Sequence, residues 1–272
     1  MSGLRFGPAG CDDGYTGKVA DIPAYLAQNG LDAFEVQCGH GVQMKQAAAE
    51  VLRGNAEQNG VALSVHAPYF ISLTNPERLE GNIGYLRQSS ELAGWLGARR
   101  IVVHTGATMG LSRDEALSAA KETMISVLHS ARNEQWPEMF FCLETMGKVN
   151  QLGTVGEVLE LCGLGETLLP CVDFGHLYAR SIGQVNDFTA VLDEMENVLG
   201  IERARECHIH FSKIAFTKSG ESKHLTFNDE GGPDWQPLAV LLRERGYCST
   251  VICESRGTQT QDAAFMKKVY HP

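Results

Sequence analysis

Six short apolar runs in this 272-residue chain end in side chains that can hold a metal ion. In chain order the ends are His66 after Val65, His104 after Val103, Glu144 after Leu143, Asp173 after Val172, His208 and His210 around Ile209, and Glu254 after Cys253. An aspartate closing a buried run such as Leu169-Pro170-Cys171-Val172-Asp173 is costly unless something pairs with it. His176 follows three residues later, placed to ligate the same ion. Each position alone has an ordinary explanation, either a packed histidine or an acid capping the next helix. Six in succession are hard to assign to packing, because carboxylates gathered on one rim repel one another and raise each other's pKa. A divalent cation removes that cost. Histidine mixed with carboxylate suits Zn, Mn or Fe(II) better than Ca or Mg, and the lack of thiolates at these positions favours a catalytic over a structural site.

Such a row needs a scaffold that repeats. Eight units recur, each a short apolar or β-branched run, a polar turn and a longer amphipathic segment. The strands read near Leu4–Phe6, Ala33–Val36, Ala62–His66, Ile101–His104, Met139–Glu144, Leu168–Asp173, Glu206–His210 and Ser249–Glu254. The helices read near Val19–Gln28, Gln43–Gln58, Asn82–Leu96, Ser112–Gln135, Thr154–Leu161, Asp187–Leu199, Gln236–Arg245 and Gln261–Val269. Ser112 with Glu115, and Thr154 with Glu157, have the spacing of a capping box. Strands alternating with helices imply a parallel sheet with right-handed crossovers. Eight units in this length predict an α/β fold, a single (β/α)8 TIM barrel over residues 1–272, whose active site lies at the C-terminal strand ends. A doubly wound open sheet is the alternative, but no GxGxxG follows the first strand.

Composition fits this reading. Hydrophobic residues make up 43% and charged residues 21% of the chain, as in ordinary globular proteins. A net charge of −10 argues against a non-specific nucleic-acid coat or a basic membrane-surface binder, and no apolar run approaches the length of a membrane span. The eight cysteines show no CxxC spacing, and Cys142, Cys171, Cys207 and Cys253 sit inside apolar runs. They read as reduced core residues of a cytoplasmic protein. The opening MSGLRFGPAG lacks the apolar stretch of a secretory signal.

Other candidates surround the row. His208 and His210 point the same way by period two, so only the one nearer the rim is expected to ligate. His224 lies in a loop, His40 follows the second strand, and Glu35 lies within that strand, where an Arg partner would explain its burial. Lys148, Arg180, Lys213, Lys218, Lys223 and Arg256 all follow strands, on the rim side. That ring could grip phosphate, with Lys213 and Arg256 as the expected substrate contacts. At least half of the ring reads as ordinary loop charge.

The motifs His66-Ala67-Pro68-Tyr69-Phe70-Ile71-Ser72-Leu73, Val103-His104-Thr105-Gly106, Leu143-Glu144-Thr145, Val172-Asp173-Phe174-Gly175-His176, His208-Ile209-His210-Phe211-Ser212-Lys213 and Cys253-Glu254-Ser255 are read together. The set resembles the endonuclease IV family of apurinic/apyrimidinic endonucleases, within the xylose-isomerase-like TIM-barrel superfamily. The match covers most of the chain from the second strand onward. The Glu, Asp, His, Glu subset is shared with sugar isomerases and epimerases of that superfamily; His66 and His104 point to the endonuclease branch. The resemblance implies two or three zinc ions, with manganese as a substitute. His66, His104 and Glu144 would hold the first. Glu144 would bridge to a second, held also by Asp173, His208 and Glu254, and His176 and His224 would hold a third. The implied reaction is hydrolysis of the DNA backbone 5′ to an abasic site in base-excision repair. Glu144 would be central to catalysis, with Tyr69 and Phe70 entering the duplex, and the enzyme is expected to be a monomer. Two departures stand out. The family has an aspartate two residues before the loop histidine, where this chain has Ser222, leaving Asp229 or Glu230 as the expected replacement. The loop Cys38-Gly39-His40-Gly41-Val42-Gln43 lacks an arginine for DNA. A one-metal sugar isomerase or epimerase on Glu144, Asp173, His208 and Glu254 is the rival expectation.

Overall fold

The apolar runs become strands because their β-branched and aromatic residues suit a pleated, buried surface. In the computed structural model, which describes residues 3–271, the barrel strands are β1 (Arg5–Pro8), β2 (Ala33–Gln37), β3 (Ala62–His66), β4 (Arg100–His104), β5 (Phe140–Glu144), β6 (Leu168–Asp173), β7 (His208–Phe211) and β10 (Thr250–Cys253). Neighbours run β1-β10-β7-β6-β5-β4-β3-β2, all paired in parallel. The seam between β1 and β2 is drawn together by a parallel bridge of Ala9 with Glu35 and a 3.0 Å hydrogen bond from Asp32 N to Phe6 O. Eight parallel strands thus form a nearly closed barrel with helices outside.

Those helices are α1 (Ile22–Gln28), α2 (Gln46–Asn59), α3 (Leu79–Leu96), α4 (Arg113–Asn133), α5 (Val155–Cys162), α6 (Phe174–Arg180), α7 (Thr189–Leu199), α8 (Ile201–Arg205), α9 (Trp235–Glu244) and α10 (Gln259–Tyr270). Both expected capping boxes form, at Ser112 and at Thr154. Three features depart from the sequence reading. The segment before β7 forms the added short helix α8. The turn after Asp173 is the short helix α6. The segment expected as loop around His224 is an antiparallel hairpin of β8 (Lys213–Thr217) and β9 (Gly220–Leu225).

Alternation along each strand sorts the residues into two sets. Ile101, Val103, Phe141, Leu143, Val172, Ile209 and Val251 join the main core under the helices. The opposite faces of β4, β5 and β6 point into the barrel, where Val102, Cys142, Leu169 and Cys171 form a separate small cluster. Two residues further along the same faces come His104, Glu144 and Asp173. The barrel is therefore plugged with apolar side chains and becomes polar toward its C-terminal rim.

Candidate metal centre

Strand register decides which groups share the rim. His66, His104, Glu144 and Asp173 are the last residues of β3, β4, β5 and β6, and Glu254 follows β10. In β7 it is His210 that pairs with Asp173, whereas His208 pairs with Cys171. His208 thus lies two residues lower, roughly 6–7 Å at the usual strand rise. The ligand in this strand is expected to be His210 in place of His208. Both point inward, as period two requires; register alone separates them.

Among the described residues five groups of donor atoms have all their atoms within 4.8 Å of one another; two include the lower His208 or Cys171, and three are made of rim residues: His66, His104 and Glu144; Glu144, Asp173, His210 and Glu254; and His176, Glu221 and His224. Glu144 belongs to two of these three. Its Oε2 lies 2.9 Å from His104 Nε2 and 3.5 Å from His66 Nε2, yet takes a directed hydrogen bond from neither. Its Oε1 is 3.2 Å from His210 Nδ1, which is 3.5 Å from Glu254 Oε1. Asp173 divides its work: Oδ1 accepts the His176 N–H at 2.7 Å and caps α6, while the buried Oδ2 has no hydrogen-bond partner. Buried carboxylate oxygens without donors are costly, and a cation among them would relieve that cost.

Histidine tautomers fit the same use. His66 Nδ1 lies 2.8 Å from the Ala67 carbonyl, and His176 Nδ1 lies 2.9 Å from the Thr145 carbonyl. A carbonyl can only accept, so each Nδ1 carries a proton and Nε2 is the nitrogen left for a metal. His176 Nε2 is 3.5 Å from Glu221 Oε2, and His224 Nε2 is 3.9 Å from Glu221 Oε1. The residues present therefore fit divalent ions with nitrogen and oxygen ligands.

With protein groups alone, burial and charge act hard on the cluster. Burial pushes the Glu144 carboxyl up, but His104, His210 and His66 outweigh it and hold it well below the usual carboxylate range. Burial raises Asp173 to about 6 against the pull of His176. Burial lowers His66 and His176, but Glu144 lifts the first and Asp173 with Glu144 the second, each to about 9.

Glu221 was not visible in the sequence as a site residue. The hairpin is bulged: Ala215 pairs with Lys223 and Phe216 with Glu221, so Ser222 is the extra residue. Without a bulge, residues two apart would share a face; the bulge turns Glu221 to the side of His224. Asp229, one expected replacement for the missing aspartate, is instead held by Thr226 N and Oγ1 at 2.8 and 2.9 Å. Glu35 has histidine and Ser64 partners rather than an Arg. Arg180 donates to the carbonyls of Met146, Lys148, Val149 and Gln151, and Lys213 to those of Phe227 and Asp229. Both cations are partly buried and tied to these carbonyls. Arg256, Lys148, Lys218 and Lys223 are exposed. Tyr69 is 50% exposed and its hydroxyl meets His40 Nδ1 at 3.1 Å. Phe70 packs edge-on against Tyr85. Together with Ser72, Arg78, His104 and Met109, these two aromatics line a cavity of about 290 Å³ beside the first donor group.

The comparisons with known proteins agree with this architecture. The model of the xylose isomerase-like TIM barrel family matches residues 23–269. An uncharacterized protein of Methanocaldococcus jannaschii is 32% identical over 98% of this chain and 97% of its own. A Bacillus licheniformis protein described as "Probable endonuclease 4" is 32% identical over 67% of this chain and 63% of its own length. Among solved structures, a D-tagatose 3-epimerase-like protein superposes with a TM-score of 0.75 at 20% identity, over 98% of this chain and 97% of that one. Endonuclease IV from Thermus thermophilus gives 0.70 at 22%, over 98% and 97%. The chain belongs to the xylose isomerase-like TIM barrel family, in the company of endonuclease IV.

Proposed function

We propose that this protein is a metal-dependent phosphodiesterase of the endonuclease IV type that cuts DNA 5′ to abasic sites. The observation that carries the reading is Glu144, shared between a two-histidine donor group and a second group of Asp173, His210 and Glu254. One carboxylate between two such groups suits a bridged pair of ions, and His176, Glu221 and His224 add a third position. Zinc, or manganese in its place, would supply Lewis acidity toward a phosphate and an acidified water. The chain's own residues do the placing. Main-chain carbonyls fix His66 and His176, Asp173 ties α6 to the rim, and Tyr69 and Phe70 line the cavity beside His104, which on this reading would take an unstacked sugar. Flipping such a nucleotide is cheap because no base is stacked. The eight free thiols accord with a cytoplasmic enzyme.

A second reading, a sugar isomerase or epimerase, is favoured by one observation: Arg180 and Lys213 are bound to carbonyls and do not reach toward a backbone phosphate. It would need only Glu144, Asp173, His210 and Glu254 around one ion.

A nicking assay separates the two. A duplex with one tetrahydrofuran abasic analogue is incubated with zinc- or manganese-loaded protein, with and without chelator, beside Glu144→Gln, and bound metal is counted in the same samples. Chelator-sensitive cleavage 5′ to the lesion with two or three ions per chain, lost in Glu144→Gln, is the expected result. No cleavage with one ion per chain would sink the nuclease reading and turn attention to ketoses and aldoses.

A further inference from the structure

Beneath the rim lies a second polar layer with no exposure at all: Glu35 on β2 with His208 and His210 on β7. Glu35 Oε2 lies 2.9 Å from His208 Nε2 and accepts Ser64 Oγ at 3.0 Å. Its Oε1 lies 3.1 Å from His210 Nε2 and accepts Gln37 Nε2 at 3.1 Å. Four groups from β2, β3 and β7 thus converge on one buried carboxylate.

His208 Nε2 is hydrogen-bonded to Glu35 Oε2, and His210 Nε2 faces Oε1 at 3.1 Å without a directed hydrogen bond; each ring thus turns its Nδ1 away from Glu35. For His208 that Nδ1 is buried and unpartnered. For His210 it points up, 3.2 Å from Glu144 Oε1 and 3.5 Å from Glu254 Oε1. His210 therefore sits between Glu35 below and Glu144 above, with Nε2 facing the first and Nδ1 the second.

We propose that Glu35 is a positioning residue for the rim centre: clamped by Ser64, Gln37 and His208, it fixes the tautomer and ring angle with which His210 presents Nδ1 to the group of Glu144, Asp173 and Glu254. A carboxylate behind a ligating imidazole also makes that imidazole a stronger donor. The inference rests on the metal centre of the proposed function and is indifferent to the reaction performed there.

The test is metal binding, with turnover left aside. Stepwise zinc affinity of the whole chain is measured by competition with a chromophoric chelator, for the native protein and for Glu35→Gln. Glutamine keeps the shape but turns a donor toward one imidazole. Affinity at the His210 position is expected to fall about 10–100-fold, while the group of His176, Glu221 and His224 keeps its affinity as an internal reference. Native affinity at every position in a folded Glu35→Gln would overturn the proposal. Should that variant not fold, isotope-labelled histidine in the zinc-loaded native protein decides. A His210 that binds zinc through Nδ1 and carries its proton on Nε2 supports the assignment, and the reverse tautomer refutes it. A native protein that binds no zinc defeats both this inference and the proposed function. Intact zinc binding without nicking defeats only the latter.

Discussion

At the scale of single residues, the centre was legible wherever a strand end fixed both position and direction. His66, His104, Glu144 and Asp173 close their strands, and His176 is brought beside Asp173 by the backbone N–H it donates to the Asp173 carboxylate. His208 and His210 could not be told apart from sequence, because height in a barrel depends on pairing register with β6 and β10. Glu221 was hidden for a related reason, since a bulge at Ser222 reverses the expected alternation. Glu221→Ala is expected to weaken the third zinc position by at least about tenfold and leave the other two unchanged, whereas Ser222→Ala changes none; stepwise chelator competition reads both. The titrating groups give a prediction of their own. His66 and His176 hold protons more tightly folded, at about 9 against 6.5. Their stabilisation is fully present below 6.5 and is lost as pH rises through about 9. Asp173, raised from 3.8 to about 6, acts in the same direction at lower pH. Thermal unfolding of the metal-free protein should therefore occur at progressively lower temperature as pH is raised from 6.5 to 9. The zinc-loaded protein should not show this fall, because zinc takes the lone pairs the protons leave. A metal-free protein that gains stability over that window would contradict these protonation states.

At the scale of elements, the alternation of strand and helix was readable because apolar period and cap chemistry agree at nearly every unit. What escaped was built from weak local signals: α6 is only seven residues, and β8 and β9 are short, half polar and only partly buried. The barrel was expected, but the contacts that draw its seam together were not legible, since they depend on two backbones meeting. At that seam a methyl group on Gly7 would overlap the Ala33 carbonyl, a backbone group that cannot swing aside. Gly7→Ala is expected to cost about 3 kcal/mol or more, the upper range for forcing an extra carbon into a packed interior, read from the midpoint of urea unfolding. Gly220 starts β9 at φ +90, and a Cβ there would run into the Gly147 carbonyl oxygen. Gly220→Ala should shift the hairpin that carries Glu221 and His224. Loss of the third zinc position with the first two retained is the expected pattern. Equal loss at all three would mean that the hairpin supports the whole rim.

At the scale of the molecule, charge sets the terms on which DNA could bind. The chain carries a formal net charge of −10, and three bound divalent ions would offset part of it locally without reversing the sign. Of the rim cations, Arg180 and Lys213 are tied to carbonyls, while Lys148, Lys218, Lys223 and Arg256 remain exposed. These four, with Arg78 exposed beside Tyr69 and Phe70, set a bound on the counterions that a duplex can release to this face. The slope of log affinity against log salt is about −0.9 for each neutralised phosphate, so it should not exceed roughly −5 in magnitude. Binding of an abasic duplex to the zinc-loaded protein, titrated by fluorescence anisotropy from low to physiological salt, measures that slope. A shallow slope with preference for abasic over intact duplex would place recognition in the metal centre and in Tyr69 and Phe70, with little contribution from a basic surface. Replacing Tyr69 by Ala should then reduce that preference while leaving the slope in place, because an aromatic ring releases no counterions. A slope much steeper than about −5 would mean that phosphates are gripped elsewhere on the chain. Absence of any preference for the lesion, with zinc bound, would remove DNA as the substrate and leave the sugar isomerase or epimerase reading in its place.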